Sequence, residues 1–200
     1  MNSELEAETA HMECTASREE KLDVLLNHIE QHVRADRGEQ LTIEGITKET
    51  HLTSEELVKI GAHPSNLIYL LAHRLNQRMV EKFSSTYLFA LGFTSIERIG
   101  KYLLLLLDFD IENIKLRGAI HQYSWSFSAE QERLINSQSL KLMAPLHLEF
   151  IENQFSTPDA RCQAIWSLYT HALRLSAIRG ASAQDCLKEI WDSVQLICNS

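Results

Sequence analysis

The stretch LTIEGITKETHLTSEELVKIG, residues 41–61, decides the fold of this 200-residue chain. Ile43 and Ile46 are three residues apart, which is the spacing of one helical face. Thr53 and Glu56 form a capping box, in which each side chain can accept a hydrogen bond from the backbone N–H of the other at a helix N-terminus. The stretch therefore predicts two short helices joined by a brief turn, which is a helix-turn-helix.

Helical periodicity continues on both sides of this stretch. Ser17 can cap a first helix, whose apolar residues from Leu22 to Val33 recur on one face. The chain has only 7 glycines and 3 prolines, which favours helices joined by short loops. We therefore predict an all-α protein, with later helices over residues 65–83, 95–109, 112–127, 129–154, 158–180 and 182–198.

Composition narrows the class of protein. The longest apolar run, Tyr102–Leu107, is too short to span a bilayer, and it predicts a central helix that is buried on all sides. The first residues are acidic and lack the apolar segment of a secretory signal. Four cysteines are scattered without a C-x-x-C pair, which is typical of reduced thiols. We expect a cytoplasmic protein that does not bind a membrane.

The net charge of −8 is placed unevenly. Through Ala62 there are six lysines and arginines against fourteen acidic residues, whereas from His63 onward there are thirteen of each. The whole acidic excess therefore lies in the N-terminal third. An acidic surface repels a nucleic acid duplex, because affinity for DNA comes largely from lysines and arginines that displace counterions.

The order of a long helix, a helix-turn-helix, a connecting helix and a helical C-terminal part resembles the TetR (tetracycline-repressor) family from about Ser17 onward. The best local match is residues 41–53, and SWSFS at 124–128 and the segment 164–187 are similar to parts of the family's ligand domain. Residues 1–16 lack apolar periodicity, which predicts a disordered acidic tail. The resemblance implies about nine helices, a three-helix DNA-binding domain at 17–63, and a ligand-binding and dimerisation domain at 64–200.

The resemblance also implies DNA-contacting residues on the helix-turn-helix. The family often has Gly and Thr where this chain has Glu55 and Glu56. Two carboxylates at a helix N-terminus oppose a phosphate there, and their ordinary role is capping. We expect weak or absent sequence-specific DNA binding at physiological salt. The positions that match family contacts with phosphate or bases are Thr42, Thr53, Ser54 and Lys59.

Aromatic residues concentrate in the C-terminal part and suggest a pocket for an apolar small molecule. An ordinary packed core would have a similar composition, and the family resemblance favours the pocket. We expect its lining to include Tyr123, Trp125, Gln138, Met143, His147, Trp166 and Tyr169.

The last two helices are apolar on more than one side, which calls for a second packing partner. A symmetric homodimer built from two helices of each subunit would provide it. The residues expected at this interface are Ile165, Ala172, Leu187, Ile190, Val194 and Ile197.

Chemistry-bearing motifs are scarce. His28 and His32 have a spacing that suits a metal, but the neighbouring sequence does not complete a ligand set, so we expect neither metal nor cofactor. No nucleophile or phosphate-binding motif indicates an enzyme. The first hypothesis is a ligand-responsive TetR-like transcriptional regulator. The alternatives are an interaction or ligand-binding protein that has lost DNA binding, and an enzyme or lipid carrier on the same fold.

Overall fold

The computed structural model describes residues 19–35, 53–59, 63–92 and 94–199. These residues form helices and turns without any strand, which confirms the all-α class. Two 3-10 turns, Leu88–Ala90 and Ser124–Ser126, interrupt the helices. The α-helices are α1 over residues 19–34, α2 (Ser54–Lys59), α3 (Pro64–Phe83), α4 (Ser95–Glu112), α5 (Ile114–Tyr123), α6 (Ala129–Glu152), α7 (Pro158–Arg179) and α8 (Ala183–Asn199).

Two predicted features lie outside the described residues. They are the acidic tail at 1–16 and the short helix that begins near Thr42. Of the predicted helix-turn-helix, the structure therefore describes the second helix, α2, together with the long helix α1 that precedes the motif. The arrangement of the complete motif stays a prediction.

The capping box predicted at Thr53 and Glu56 is confirmed. At the start of α2, Thr53 Oγ1 accepts a hydrogen bond from the backbone N–H of Glu56 at 3.2 Å, and Glu56 Oε2 accepts from the backbone N–H of Thr53 at 2.9 Å. These bonds satisfy N–H groups that have no partner within the helix. The same reciprocal pairs begin α4 and α6, formed by Thr94 with Glu97 and by Ser128 with Gln131.

The sequence Thr157-Pro158-Asp159 predicts a capping threonine before α7, and this prediction is wrong. Thr157 has a left-handed backbone, with φ 51° and ψ 55°, and its side chain accepts no capping hydrogen bond. A capping hydroxyl needs an extended backbone to reach the first N–H groups of the helix, and a left-handed residue does not provide it. Pro158 nevertheless begins the helix and Gly180, with φ 67°, ends it, as the sequence predicts.

The interior consists of two hydrophobic clusters. One joins α1, α2, the first half of α3 and α5, and the other joins the second half of α3 with α4, α6, α7 and α8. Helix α3 is thus buried in both clusters, with Leu67 and Leu71 in the first and Met79 in the second. Leu116 and Ile120 of α5 also pack in the first cluster. Residues from both sides of the domain boundary predicted at 63/64 therefore share one cluster with α1.

Helix α4 is buried on most of its surface, but not on all sides as predicted. It packs against α7 and α8, whereas Lys101, Leu105 and Asp108 are exposed along the remaining face. One side of α4 is exposed because five consecutive leucines and their neighbours point in all directions around a helix, and no described helix covers that side. None of the described helices is long and apolar enough to cross a bilayer.

Candidate ligand-binding site

A cavity of about 640 Å³ lies between α3, α5, α6 and α7, with the end of α4 at its base. Its walls are mostly apolar, and the indole of Trp166 stacks on the ring of Tyr169 with 5.0 Å between the centroids. Small-molecule pockets are commonly of this size, with a few polar groups among apolar walls. Residues that form the apolar wall include Met79, Ile114, Ile120, Ile135, Leu142 and Leu173.

A buried polar network forms the base of the cavity. Arg117 Nε donates to Asp110 Oδ1 at 2.8 Å, and Arg117 Nη1 donates to Asn76 Oδ1 at 2.6 Å. The Tyr169 hydroxyl donates to Asp110 Oδ2. Burial, and then the charge of Asp110, raises the pKa of the Tyr169 phenol well above its usual value, so the phenol keeps the proton that it donates. Three helices and the end of α4 are therefore joined at one polar point.

This network also determines the orientation of the Asn76 amide. A guanidinium group has donors and no acceptor, so the amide must turn its oxygen toward Arg117. The amide nitrogen of Asn76 then carries two protons, which meet no acceptor among the described residues. Asn76 lines the cavity and can donate to an oxygen of a bound molecule.

The opposite end of the cavity is open and basic. Arg174 on α7 and His121 on α5 are both exposed, and Arg174 Nη2 lies 3.4 Å from His121 Nε2. Because the guanidinium can only donate, His121 Nε2 is the acceptor of this contact. Within the described residues, Arg174 makes no ion pair with a carboxylate. His171 lies beside this opening.

Of the predicted pocket residues, Trp166 and Tyr169 line this cavity. Tyr123 is partly buried and packs instead against the cluster around α1. Trp125 is 83% exposed, because the chain leaves α5 through the 3-10 turn and the indole Nε1 donates to Gln122 O at 2.6 Å. The sequence predicts a continuous helix through Phe127, but α5 ends at Tyr123, and Trp125 therefore does not continue the helix face that lines the cavity.

The remaining predicted pocket residues lie on other parts of α6. Gln138 is buried, and its Nε2 donates to His73 O of α3 at 3.1 Å. Met143 is partly buried against the larger hydrophobic cluster. His147 Nε2 lies 2.9 Å from Asp159 Oδ1 at the start of α7. These three side chains do not line the cavity, since each projects from α6 in a different direction from Ile135, Ser139 and Leu142.

The polar residues at the base of the cavity are not among those predicted from the sequence. Asp110, Asn76 and Arg117 each stand in a mostly apolar helical segment, where an ionisable or amide side chain needs a partner. That pattern could have singled them out as a buried cluster. Their convergence depends on three different helices, however, and no spacing within one helix predicts it.

The described part of the predicted helix-turn-helix presents few cations. Thr53 and Ser54 are exposed, and Thr53 is engaged in the cap of α2. Lys59 Nζ forms an ion pair with Glu55 Oε1 of the same helix at 3.0 Å. Glu56 forms another with Lys21 of α1 at 3.5 Å. The lysines of this surface are thus matched with carboxylates, and Thr42 lies outside the described residues.

The arginines of α3 that face α1 are matched in the same way. Arg74 Nη1 donates to Asn27 Oδ1 at 2.7 Å, and its other amino group pairs with Asp23. Arg78 Nη1 lies 2.7 Å from Glu30 Oε1. These contacts attach α1 to α3 through charge-assisted hydrogen bonds, so both arginines already serve a contact between helices.

The residues predicted at the dimer interface pack in or against the hydrophobic core of the chain itself. Leu187 and Ile197 are partly buried against the same subunit's core. The large apolar residues that these two helices expose are Ile178, at 79%, and Leu196, at 71%. Any interface through α7 and α8 would therefore use their outer faces. The predicted residues that are fully buried in the core are Ile165, Ala172, Ile190 and Val194.

Metal-ligand side chains do not gather in the described ranges, where no group of three or more His, Cys, Asp or Glu could hold an ion. His28 and His32 both lie on α1. No protein-family model matches the chain, and no curated protein or solved structure is significantly similar to it.

Proposed function

We propose that the protein is a TetR-like, ligand-responsive regulator of the cytoplasm, whose C-terminal part binds an apolar small molecule between α3, α5, α6 and α7. The observation that carries this proposal is the cavity of about 640 Å³, which has apolar walls and a small polar network at its base. Such a combination gives affinity through apolar burial and orientation through a few hydrogen bonds.

The contacts of α3 support a ligand-responsive role. Asn76 and Met79 of this helix line the cavity, while Arg74 and Arg78 bind side chains of α1. A ligand that shifts α3 would therefore shift the position of α1. A ligand changes the equilibrium between two positions of α3 only if it binds one position more tightly than the other. Because α3 forms part of the cavity wall, a bound molecule would contact α3 differently in the two positions.

A second candidate is a ligand-binding protein on the same fold that does not bind DNA. It is favoured by the ion pairs of Lys21, Lys59, Arg74 and Arg78, all with carboxylates. A DNA phosphate would have to replace a carboxylate at each of these cations. Together with the acidic excess of the N-terminal third, this makes the electrostatic attraction to a duplex small.

Ligand binding is tested with a variant that fills the cavity. A Cβ added at Gly118 would meet no other atom within 4 Å, so the side chain of Gly118→Leu extends into the cavity. We expect the natural protein to enhance the fluorescence of the neutral probe N-phenyl-1-naphthylamine with one site per chain. Gly118→Leu should weaken this binding at least tenfold, whereas Ala160→Leu, which places a leucine at an exposed position of α7, should not. Equal binding by all three proteins would reject the cavity as the site.

DNA binding is tested by fluorescence anisotropy with the DNA that flanks the protein's own gene, over a series of salt concentrations. We expect weak binding with a shallow salt dependence. Glu55→Gln should raise the affinity, because it releases Lys59 for a phosphate, and Glu132→Gln on α6 is the matched control for net charge. Nanomolar binding with a steep salt dependence that Lys59→Ala removes would reject the second candidate.

A further inference from the structure

We infer that the ligand is an apolar monocarboxylic acid, with its carboxylate at Arg174 and its apolar body against Trp166. The inference rests on the proposed function, since it names the class of molecule that the same cavity binds. It is carried by the distribution of charge around the cavity, which differs between the buried base and the open end.

The charges at the base cancel. Among the described residues that line the cavity, Asp110 is the only carboxylate, and Arg117 is its partner. Arg117 also donates to Asn76, so its donors are largely engaged. An ionic head group at the base would have to break this buried pair, which is costly because the partner left behind keeps its charge in a dry site. The base therefore suits the neutral end of a ligand.

The open end carries an excess of positive charge. Arg174 contacts the ring of His121 through one amino group and has further N–H donors in its planar group. Two parallel N–H groups match the two oxygens of a carboxylate, which gives this pair its strength and its geometry. His171, a further basic side chain, lies beside the same opening. A cationic ligand would meet repulsion at this end and no uncompensated carboxylate at the other.

The exposure of Arg174 suits the head group of an amphiphile. A carboxylate held at the opening keeps part of its hydration, so that binding does not incur the full penalty of burying an ion. The apolar body behind it is removed from water against Trp166 and Leu173. Arg179, on the same helix, is also exposed but does not line the cavity, and it therefore provides a matched control.

The experiment compares three probes with one alkyl chain and different head groups: decanoate, decan-1-ol and decylamine. Isothermal titration calorimetry of the full chain, below the critical micelle concentration, should give the order decanoate, decanol, decylamine from tightest to weakest. Arg174→Ala should weaken decanoate about three- to tenfold, the range for a partly exposed charge-assisted contact, and leave decanol unchanged. Arg179→Ala should change neither, and thermal melts should show that both variants are folded.

The inference and the proposed function fail in different ways. Decanol as tight as decanoate, decylamine tighter than either, or equal effects of Arg174→Ala and Arg179→Ala would overturn the acidic ligand class while leaving a cavity that binds apolar molecules. Binding of N-phenyl-1-naphthylamine without binding of decanoate would overturn it as well. If the natural protein binds none of these molecules, the cavity is not a ligand site and the proposed function itself is rejected.

Discussion

At the scale of single residues, two helical glycines have opposite surroundings. A Cβ at Gly100 of α4 would lie 2.6 Å from Cη2 of Trp191 on α8, so α4 and α8 approach each other closely only because that atom is absent. At Gly118 of α5 the same atom would meet nothing within 4 Å. The two positions separate the effect of packing from the effect of helix propensity.

Alanine at these two positions should change stability in opposite directions. Gly118→Ala should raise the free energy of unfolding by about 0.5–1 kcal/mol, because alanine is the better helix former. Gly100→Ala should lower it by about 1–3 kcal/mol, since the indole of Trp191 must move out of a packed position. Urea unfolding of each variant measures both changes. A Gly100→Ala protein as stable as Gly118→Ala would show that Trp191 moves without cost.

At the scale of helices, a buried ion pair joins α4 to α6. Arg98 Nη2 lies 2.6 Å from Glu149 Oε1, and the two side chains are 6% and 1% exposed. Asn153 also donates to Glu149, and the Arg98 guanidinium lies over the ring of Phe89 at 4.2 Å from its centroid. The pair therefore has the additional hydrogen bonds that a buried charge requires.

Glu149→Gln should destabilise the protein by about 3–5 kcal/mol, because it removes the carboxylate that binds the buried Arg98 guanidinium. Glu132→Gln, an exposed change on the same helix, should alter stability by less than about 0.5 kcal/mol. Chemical unfolding monitored by circular dichroism compares the two. Similar midpoints for both variants would mean that water reaches Arg98 and replaces the carboxylate.

The attachment of α1 to α3 should depend on pH through Glu30. Burial alone would raise the pKa of this carboxyl, but hydrogen bonds from Arg78 and Arg34 outweigh burial and hold it below its ordinary value of 4.5. A lowered folded-state pKa contributes stability that is present above the unfolded value and is lost as the pH falls through the folded value.

Hydrogen exchange of the α1 amides should therefore be slow at neutral pH and accelerate, after correction for intrinsic rates, as the pH falls below about 4.5. Glu30→Gln should loosen α1 by about 1–2 kcal/mol at neutral pH and remove much of the pH dependence, since one partner of a partly buried pair is lost. Glu20→Gln, exposed on the same helix, is the control. A pH profile that Glu30→Gln leaves unchanged would assign the effect to other carboxyls.

At the scale of the whole molecule, the homodimer predicted from the sequence would have to form through the outer faces of α7 and α8, where Ile178 and Leu196 are exposed. Ile178→Asp and Leu196→Asp should give folded monomers if these exposed side chains lie in the interface. Val194→Asp should instead unfold the subunit, because Val194 is fully buried in the core. Light scattering with circular dichroism distinguishes the outcomes. A natural protein that is monomeric at micromolar concentration would refute the dimer.

Helix class and most helix ends followed from the sequence. The caps of α2, α4 and α6 depend on residues three positions apart, and the stop at Gly180 depends on one residue. Such interactions are complete within one turn of chain, so they can be recognised without the fold. The Thr157 cap is the exception, because a left-handed backbone at a threonine is not indicated by its neighbours in the chain.

The direction of each side chain was decided by tertiary structure. Trp125 faces solvent and Val194 faces the core, although both belong to apolar patterns that suggested a pocket and an interface. A pattern shows that a helix face is apolar, but it does not identify what covers that face. The cavity likewise depends on Asp110 meeting Arg117 across a helix junction and Tyr169 far along the chain.

The sequence by itself determined the helices, their caps and the distribution of charge, because these depend on neighbours in the chain. The packing of α3 to α7 decided the cavity, because its residues meet only when separate helices pack together.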